Sequence, residues 1–165
     1  MEPEETEPQK RKVLIVGNWK CHGDLTYVKE MVNNMLNKIV FDKNLLDVFT
    51  APPLIHIPAA KAMLTSSVGL AAQNVSAHPK GSFTGEVNAE SLKDFGIEWV
   101  IVGAAERREL LQDTEEKIAM KIDEAHKQGI NVVLCIPDKL DEKDTGKAWQ
   151  SMEKQLVFLN GICIV

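Results

Sequence analysis

The strongest constraint on this chain is an alternation. Short, largely apolar strand candidates recur at 13–16, 46–51, 68–72, 100–102 and 131–136, unbroken at 13–16 and 100–102, and segments with apolar residues at helical spacing lie between them. A brief apolar run without polar alternation suits a strand buried on both faces. Strand and helix in turn, one unit per roughly 30 residues, predict repeated βα units and a parallel sheet. The intervening spacing predicts helices over 26–40, 57–63, 88–95, a segment from Asp113 or Thr114 to Gln128, and 148–159. A sixth strand is expected to begin within 161–165. Asp24 is expected to cap the first helix, and Gly96 and Gly129 to close the third and fourth. No glycine fingerprint of the GxGxxG or P-loop kind follows any of these runs, which argues against a dinucleotide fold and for a barrel.

Composition narrows the class. A chain of 165 residues with 44% hydrophobic and 26% charged residues has room for one domain with a sizeable core. The charged opening with Pro3 and Pro8 predicts a disordered tail over 1–12, followed by a single domain over 13–165. A net charge of −5 argues against nucleic acid or anionic membrane as a partner. No apolar run is long enough to suggest a membrane span, and no secretion signal is visible. Cys21, Cys135 and Cys163 read as reduced thiols, and neither they nor His22, His56, His78 and His126 show metal-ligand spacing. A cytoplasmic protein without a cofactor or metal is expected.

One stretch is site-shaped. Trp99-Val100-Ile101-Val102 runs into Gly103-Ala104-Ala105 and then into the charged cluster Glu106-Arg107-Arg108-Glu109. In parallel α/β folds, ligands gather at the carboxyl ends of strands. Yet the two residues nearest this strand end carry no polar side-chain atom.

The ordered motifs point to a family. Gly17-Asn18-Trp19-Lys20, Ala51-Pro52-Pro53, Ala72-Gln73-Asn74, Phe83-Thr84-Gly85-Glu86, Val102-Gly103 with Glu106-Arg107-Arg108, Cys135-Ile136 and Lys139-Leu140-Asp141-Glu142 stand in the order and spacing of the triosephosphate isomerase family. The resemblance covers roughly 12–145. It implies an α/β fold, a (β/α)8 TIM barrel of about 250 residues. The chain is then expected to be a C-terminally truncated, partial barrel of about five to six βα units. The implied activity is cofactor-free interconversion of dihydroxyacetone phosphate and D-glyceraldehyde 3-phosphate by a cytosolic homodimer.

The resemblance also assigns residues. Lys20 and Glu106 are the catalytic candidates, and Asn18 and Lys20 the substrate-binding ones. A lysine ammonium at a strand end can attract a phosphate dianion and offset charge developing on an enediolate. Taken without the motif, Lys20 is a solvated surface charge, Asn18 a turn residue and Glu106 part of an ion-pair network at a helix start. For Arg107 and Arg108 the structural ion-pair reading is preferred. The 73–86 loop resembles the one that reaches into a neighbouring subunit, with Pro79 where the family carries a threonine.

Two departures shape the functional expectation. Ala104 and Ala105 stand where the family has its electrophilic histidine and the following serine, and the family's catalytic glutamate is not matched. A methyl group cannot donate to a substrate carbonyl, and one such donor is worth about 10²–10³ in rate. This chain is therefore expected to be inactive or strongly impaired as an isomerase. The alternatives are a non-catalytic pseudoenzyme that partners a full-length isomerase, and a product without a stable fold.

Overall fold

The computed structural model describes residues 11–137 and 148–162. The tail expected over 1–12 falls almost wholly outside these residues, as does most of the 137–145 loop. The described chain forms five parallel strands, β1 (Val13–Asn18), β2 (Leu46–Ala51), β3 (Gly69–Ala72), β4 (Trp99–Val102) and β5 (Asn131–Leu134). They lie side by side in sequence order, so each crossover returns to the adjacent position. The sheet curls into a half barrel covered by helices. The helices are α1 (Leu25–Asn34), α2 (Ile57–Met63), α3 (Ala89–Asp94), α4 (Ala105–Leu110), α5 (Glu115–Lys127) and α6 (Ala148–Ile162).

The two strand faces bury different things, because successive side chains point to opposite sides. Val48, Leu70, Ala72, Val100, Val102, Val132 and Leu134 pack outward against helix residues such as Val28, Val32, Ala60, Ile118 and Ile122. Each fully buried Val or Ile stabilises the fold by about 1.5–3 kcal/mol. Val16, Phe49, Ala51, Ala71, Trp99, Ile101 and Val133 form a smaller inward cluster. The central strands thus have an apolar neighbour on each face, but the expectation of a buried strand at 13–16 is corrected: β1 is an edge strand paired only with β2, and Val13, Leu14 and Ile15 are exposed.

Local chemistry sets the helix ends. The Asp24 carboxylate accepts from the Tyr27 amide, and Asn88 and Thr114 cap α3 and α5 in the same manner. Between the candidate caps at 113 and 114, Thr114 is the one used. The first helix is shorter than its apolar spacing predicts. It ends at Asn34, and a 3₁₀ turn follows over Leu36–Lys38. The break brings the Asn37 amide to the α2–β3 connection, where it donates to the Met63 carbonyl and accepts from the Thr65 and Ser66 amides. Those three bonds reward ending the helix early.

Two further expectations are corrected. The fifth strand stops at Leu134, and the Cys135 carbonyl faces Arg108 Nη2 at 3.4 Å. No sixth strand begins at 161, because Gly161 and Ile162 continue α6. The last three residues lie outside the described set. No described helix is long and apolar enough to cross a membrane.

Candidate functional site

The carboxyl ends of β1 to β4 surround a cleft of about 640 Å³. Asn18, Lys20, Gln73, Ala104, Glu106 and Arg107 contribute to its wall. All three candidates from the sequence, Asn18, Lys20 and Glu106, thus face one space, although 86 positions separate Lys20 from Glu106.

Lys20 is presented by a strained turn. Its φ is +52°, a left-handed conformation that costs a non-glycine residue about 1–3 kcal/mol. Four hydrogen bonds hold the turn. The Lys20 amide donates to Asn18 Oδ1 at 2.8 Å. The Gln73 side-chain amide donates to the Lys20 carbonyl at 2.9 Å and to the Ala51 carbonyl at 2.7 Å. The Trp19 amide donates to the same Ala51 carbonyl at 3.1 Å. Asn18 therefore caps local backbone while its strand position keeps it on the cleft.

Lys20 Nζ lies 3.2 Å from Glu106 Oε1 and 3.3 Å from Oε2. Both side chains are open to water, at 60% and 40% exposure, so the pair contributes little to stability, about 0–1 kcal/mol. The Glu106 carboxyl is held below its ordinary range, first by backbone N–H at the start of α4 and then by the Lys20 hydrogen bond. The direction makes it a weaker proton acceptor than an ordinary glutamate.

Ala104 precedes α4 at its N-cap position and makes no side-chain cap bond. Its carbonyl accepts from the Arg107 and Arg108 amides, so position 104 serves the helix start through its backbone alone. The preceding Gly103 turns at φ +82°, and a Cβ there would lie 2.8 Å from the Cys135 carbonyl oxygen. Only a glycine lets β4 and β5 approach this closely at the floor of the site.

The arginines take the structural role preferred for them. Arg107 Nε donates to Asp113 at 2.8 Å. Arg108 Nε donates to the Gly103 carbonyl at 2.7 Å, and Arg108 Nη1 pairs with Glu115 at the start of α5. Asp113 also accepts from Lys121 Nζ at 2.5 Å, with the two side chains only 6% and 4% exposed. Lys121 donates in turn to Asn74 Oδ1 at 3.0 Å. Burial works to raise the Asp113 carboxyl, but Lys121 and Arg107 outweigh it and hold the group below its ordinary value.

Sequence reasoning assigned Gln73 no role of its own beyond its place in the Ala72-Gln73-Asn74 motif and at the start of a loop, and it offered Asp113 only as a cap. The Ala72-Gln73-Asn74 motif at a strand end was the available signal for the first. Nothing local marks the second, since its partners sit six and eight positions away across a helix boundary. The 73–86 loop turns outward, and its exposed tip carries a stack of His78 on Phe83 with centroids 4.4 Å apart. Among the described residues, no group of three or more His, Cys, Asp or Glu side chains is arranged to hold a metal ion.

Comparison with known proteins agrees with this geometry. The family model for triosephosphate isomerase matches residues 13–160. The cytosolic triosephosphate isomerase of Stellaria longipes is 36% identical over 146 residues, which cover 88% of this chain and 57% of that protein. The chloroplastic enzyme of Arabidopsis thaliana is 35% identical over 145 residues, covering 88% and 45%. The chloroplastic enzyme of Secale cereale is 37% identical over 145 residues, covering 88% and 48%. The chain spans about half the length of the curated relatives it matches.

Proposed function

The chain belongs to the triosephosphate isomerase family, and we propose that its cleft binds the phosphate of a triose phosphate while turning it over poorly or not at all. Lys20 supplies the cation for the dianion, Asn18 lines the same space, and Glu106 holds the ammonium at the cleft. The observation that carries the reading is Ala104. It lines the cleft beside Glu106 and offers only a methyl group where the resemblance expects an imidazole. Proton abstraction next to a carbonyl needs that oxygen polarised and a base whose pKa suits the working pH. Ala104 cannot do the first, and Glu106, its carboxylate paired with Lys20, is a weaker base than a free glutamate.

A coupled isomerase assay on the purified chain beside its Ala104→His variant tests this. The unmodified chain should stay near background. The histidine variant should recover part of the about 10²–10³-fold worth of one polarising donor. Turnover by the unmodified chain within the usual enzymatic range of about 1–10³ s⁻¹ would refute the reading.

The reading includes self-association as a homodimer through the 73–86 loop and a cytoplasmic location. The exposed His78–Phe83 stack favours association, since an aromatic pair on a loop tip is suited to docking. The same feature supports the second reading, a non-catalytic subunit that pairs with an active full-length isomerase. Co-purification of the two favours it, and a chain that stays monomeric in a mixed sample counts against it.

A further inference from the structure

The strained backbone at Lys20 persists only while its surroundings hold it from more than one side. Gln73 holds one side through the Lys20 carbonyl. The other end of the same loop reaches His56. This residue closes the short 3₁₀ turn Leu54–His56 after β2, and its Nε2 lies 3.2 Å from the Gly23 carbonyl oxygen. Its Nδ1 is buried without a hydrogen-bond partner. A proton on Nδ1 would be a buried donor with nothing to accept it. The neutral ring therefore carries its proton on Nε2 and donates it to Gly23.

Gly23 is a fixed target. Its φ is +94°, and a Cβ there would lie 2.5 Å from the Tyr27 ring. Tyr27 in turn packs edge-on against Trp19, with centroids 5.2 Å apart. The two ends of the loop between β1 and α1 are thus tied to different elements, Lys20 to the end of β3 and Gly23 to the turn after β2.

We propose that His56 is a positioning residue of the cleft: by fastening the Gly23 carbonyl it closes the far end of the loop and keeps Lys20 turned toward the anion. This rests on the reading of Lys20 as the phosphate-binding cation.

The test uses the full chain and inorganic phosphate as the probe. In the unmodified protein, ¹⁵N-resolved NMR of the neutral His56 ring should show the Nε2–H tautomer, and an Nδ1–H tautomer would overturn the proposal without any mutation. Phosphate affinity is then followed by amide shifts. Exchange of the His22 amide, whose bond to the Trp19 carbonyl lies inside the loop, reports on the loop itself. His56→Phe keeps a ring but no donor. It should weaken phosphate binding about three- to tenfold, the worth of one hydrogen bond, and speed His22 exchange. His56→Gln, which restores an amide donor, should recover most of both. Unchanged affinity and exchange in the phenylalanine variant overturn the proposal, and so does a glutamine variant as weak as the phenylalanine one. Phosphate binding that survives Lys20→Ala overturns the reading of the site instead, while His22 exchange still decides the role of His56.

Discussion

Asp113→Asn is a sharp test of what holds the site together. Asp113 is the carboxylate bonded to both Arg107 and Lys121, and its substitute keeps the shape while removing the charge. Arg107 remains partly open to water at 28% exposure, but Lys121 is 4% exposed. Burial already pulls the Lys121 ammonium below its ordinary pKa, against the opposing effect of the hydrogen bond it donates to Asp113. Without that carboxylate the ammonium must stay charged in a poorly hydrated site or give up its proton. Giving it up at pH 7 costs at most about 1.4 kcal/mol for each of the roughly three and a half pH units below the ordinary lysine value, about 5 kcal/mol in all. Breaking a buried pair typically costs about 3–5 kcal/mol, which agrees. Against a total stability of about 5–15 kcal/mol, the variant should be marginal.

Urea unfolding followed by circular dichroism measures this. The deficit should also depend on pH with a definite sign. The folded Asp113 carboxyl lies below its unfolded value, so its contribution is present above the ordinary aspartate range near pH 4 and fades as pH falls through the folded value. The gap between the parent and Asp113→Asn should therefore narrow in acid. Adding Lys121→Met to the variant removes the stranded charge and should restore more than half of the loss. A single variant within 1 kcal/mol of the parent, or a double variant no better than the single, would show that the cluster is not an electrostatic unit.

Other perturbations sort by burial. Gly103→Ala puts a Cβ 2.8 Å from the Cys135 carbonyl oxygen at φ +82° and should cost about 1–3 kcal/mol or more in urea unfolding. Glu106→Gln breaks an exposed pair, so stability should change by less than about 1 kcal/mol. If the cleft binds phosphate as proposed, its affinity measured by NMR should rise a few-fold in that variant, because a negative neighbour has left Lys20. Asn88→Ala removes the acceptor for the Ser91 amide at 2.8 Å and should lower stability by about 1 kcal/mol, seen as a lower melting temperature.

The strands were legible as short, largely apolar segments stopped by turn residues, and 46–51, ended by Pro52-Pro53, matches Leu46–Ala51 residue for residue. The caps at Asp24 and Thr114 were legible because their partners lie three residues away. What could not be read depends on distant partners. The early end of α1 follows from bonds that Asn37 makes to residues 26 to 29 positions on. The short helix α4 hides in a charged cluster whose arginines turn inward to Asp113, Gly103 and Glu115. Motif order singled out Lys20, Asn18 and Glu106, which line one cleft. The role of Gln73 in holding Lys20 was not, because an amide bonding two backbone carbonyls leaves no periodic trace.

The site contains two systems of charge with different dependence on their surroundings. Lys20 and Glu106 face water, so changing either should retune anion binding at little cost to the fold. Asp113, Lys121 and Arg107 are mostly shielded, so changing one strands another. Helix α4 joins them, with Glu106 turned to the cleft and Arg107 reaching from the cleft wall to Asp113. Ala104 precedes both and takes part in neither through its side chain. It serves the helix start only through its carbonyl, and those two bonds are the same for any residue at the position. A side chain at 104 can therefore change what the cleft does to a ligand without disturbing what keeps the cleft open. The Ala104→His variant should accordingly unfold within about 0.5 kcal/mol of the parent, the range of substitutions away from structural features. A larger loss would mean that position 104 packs against the site more tightly than its contacts require.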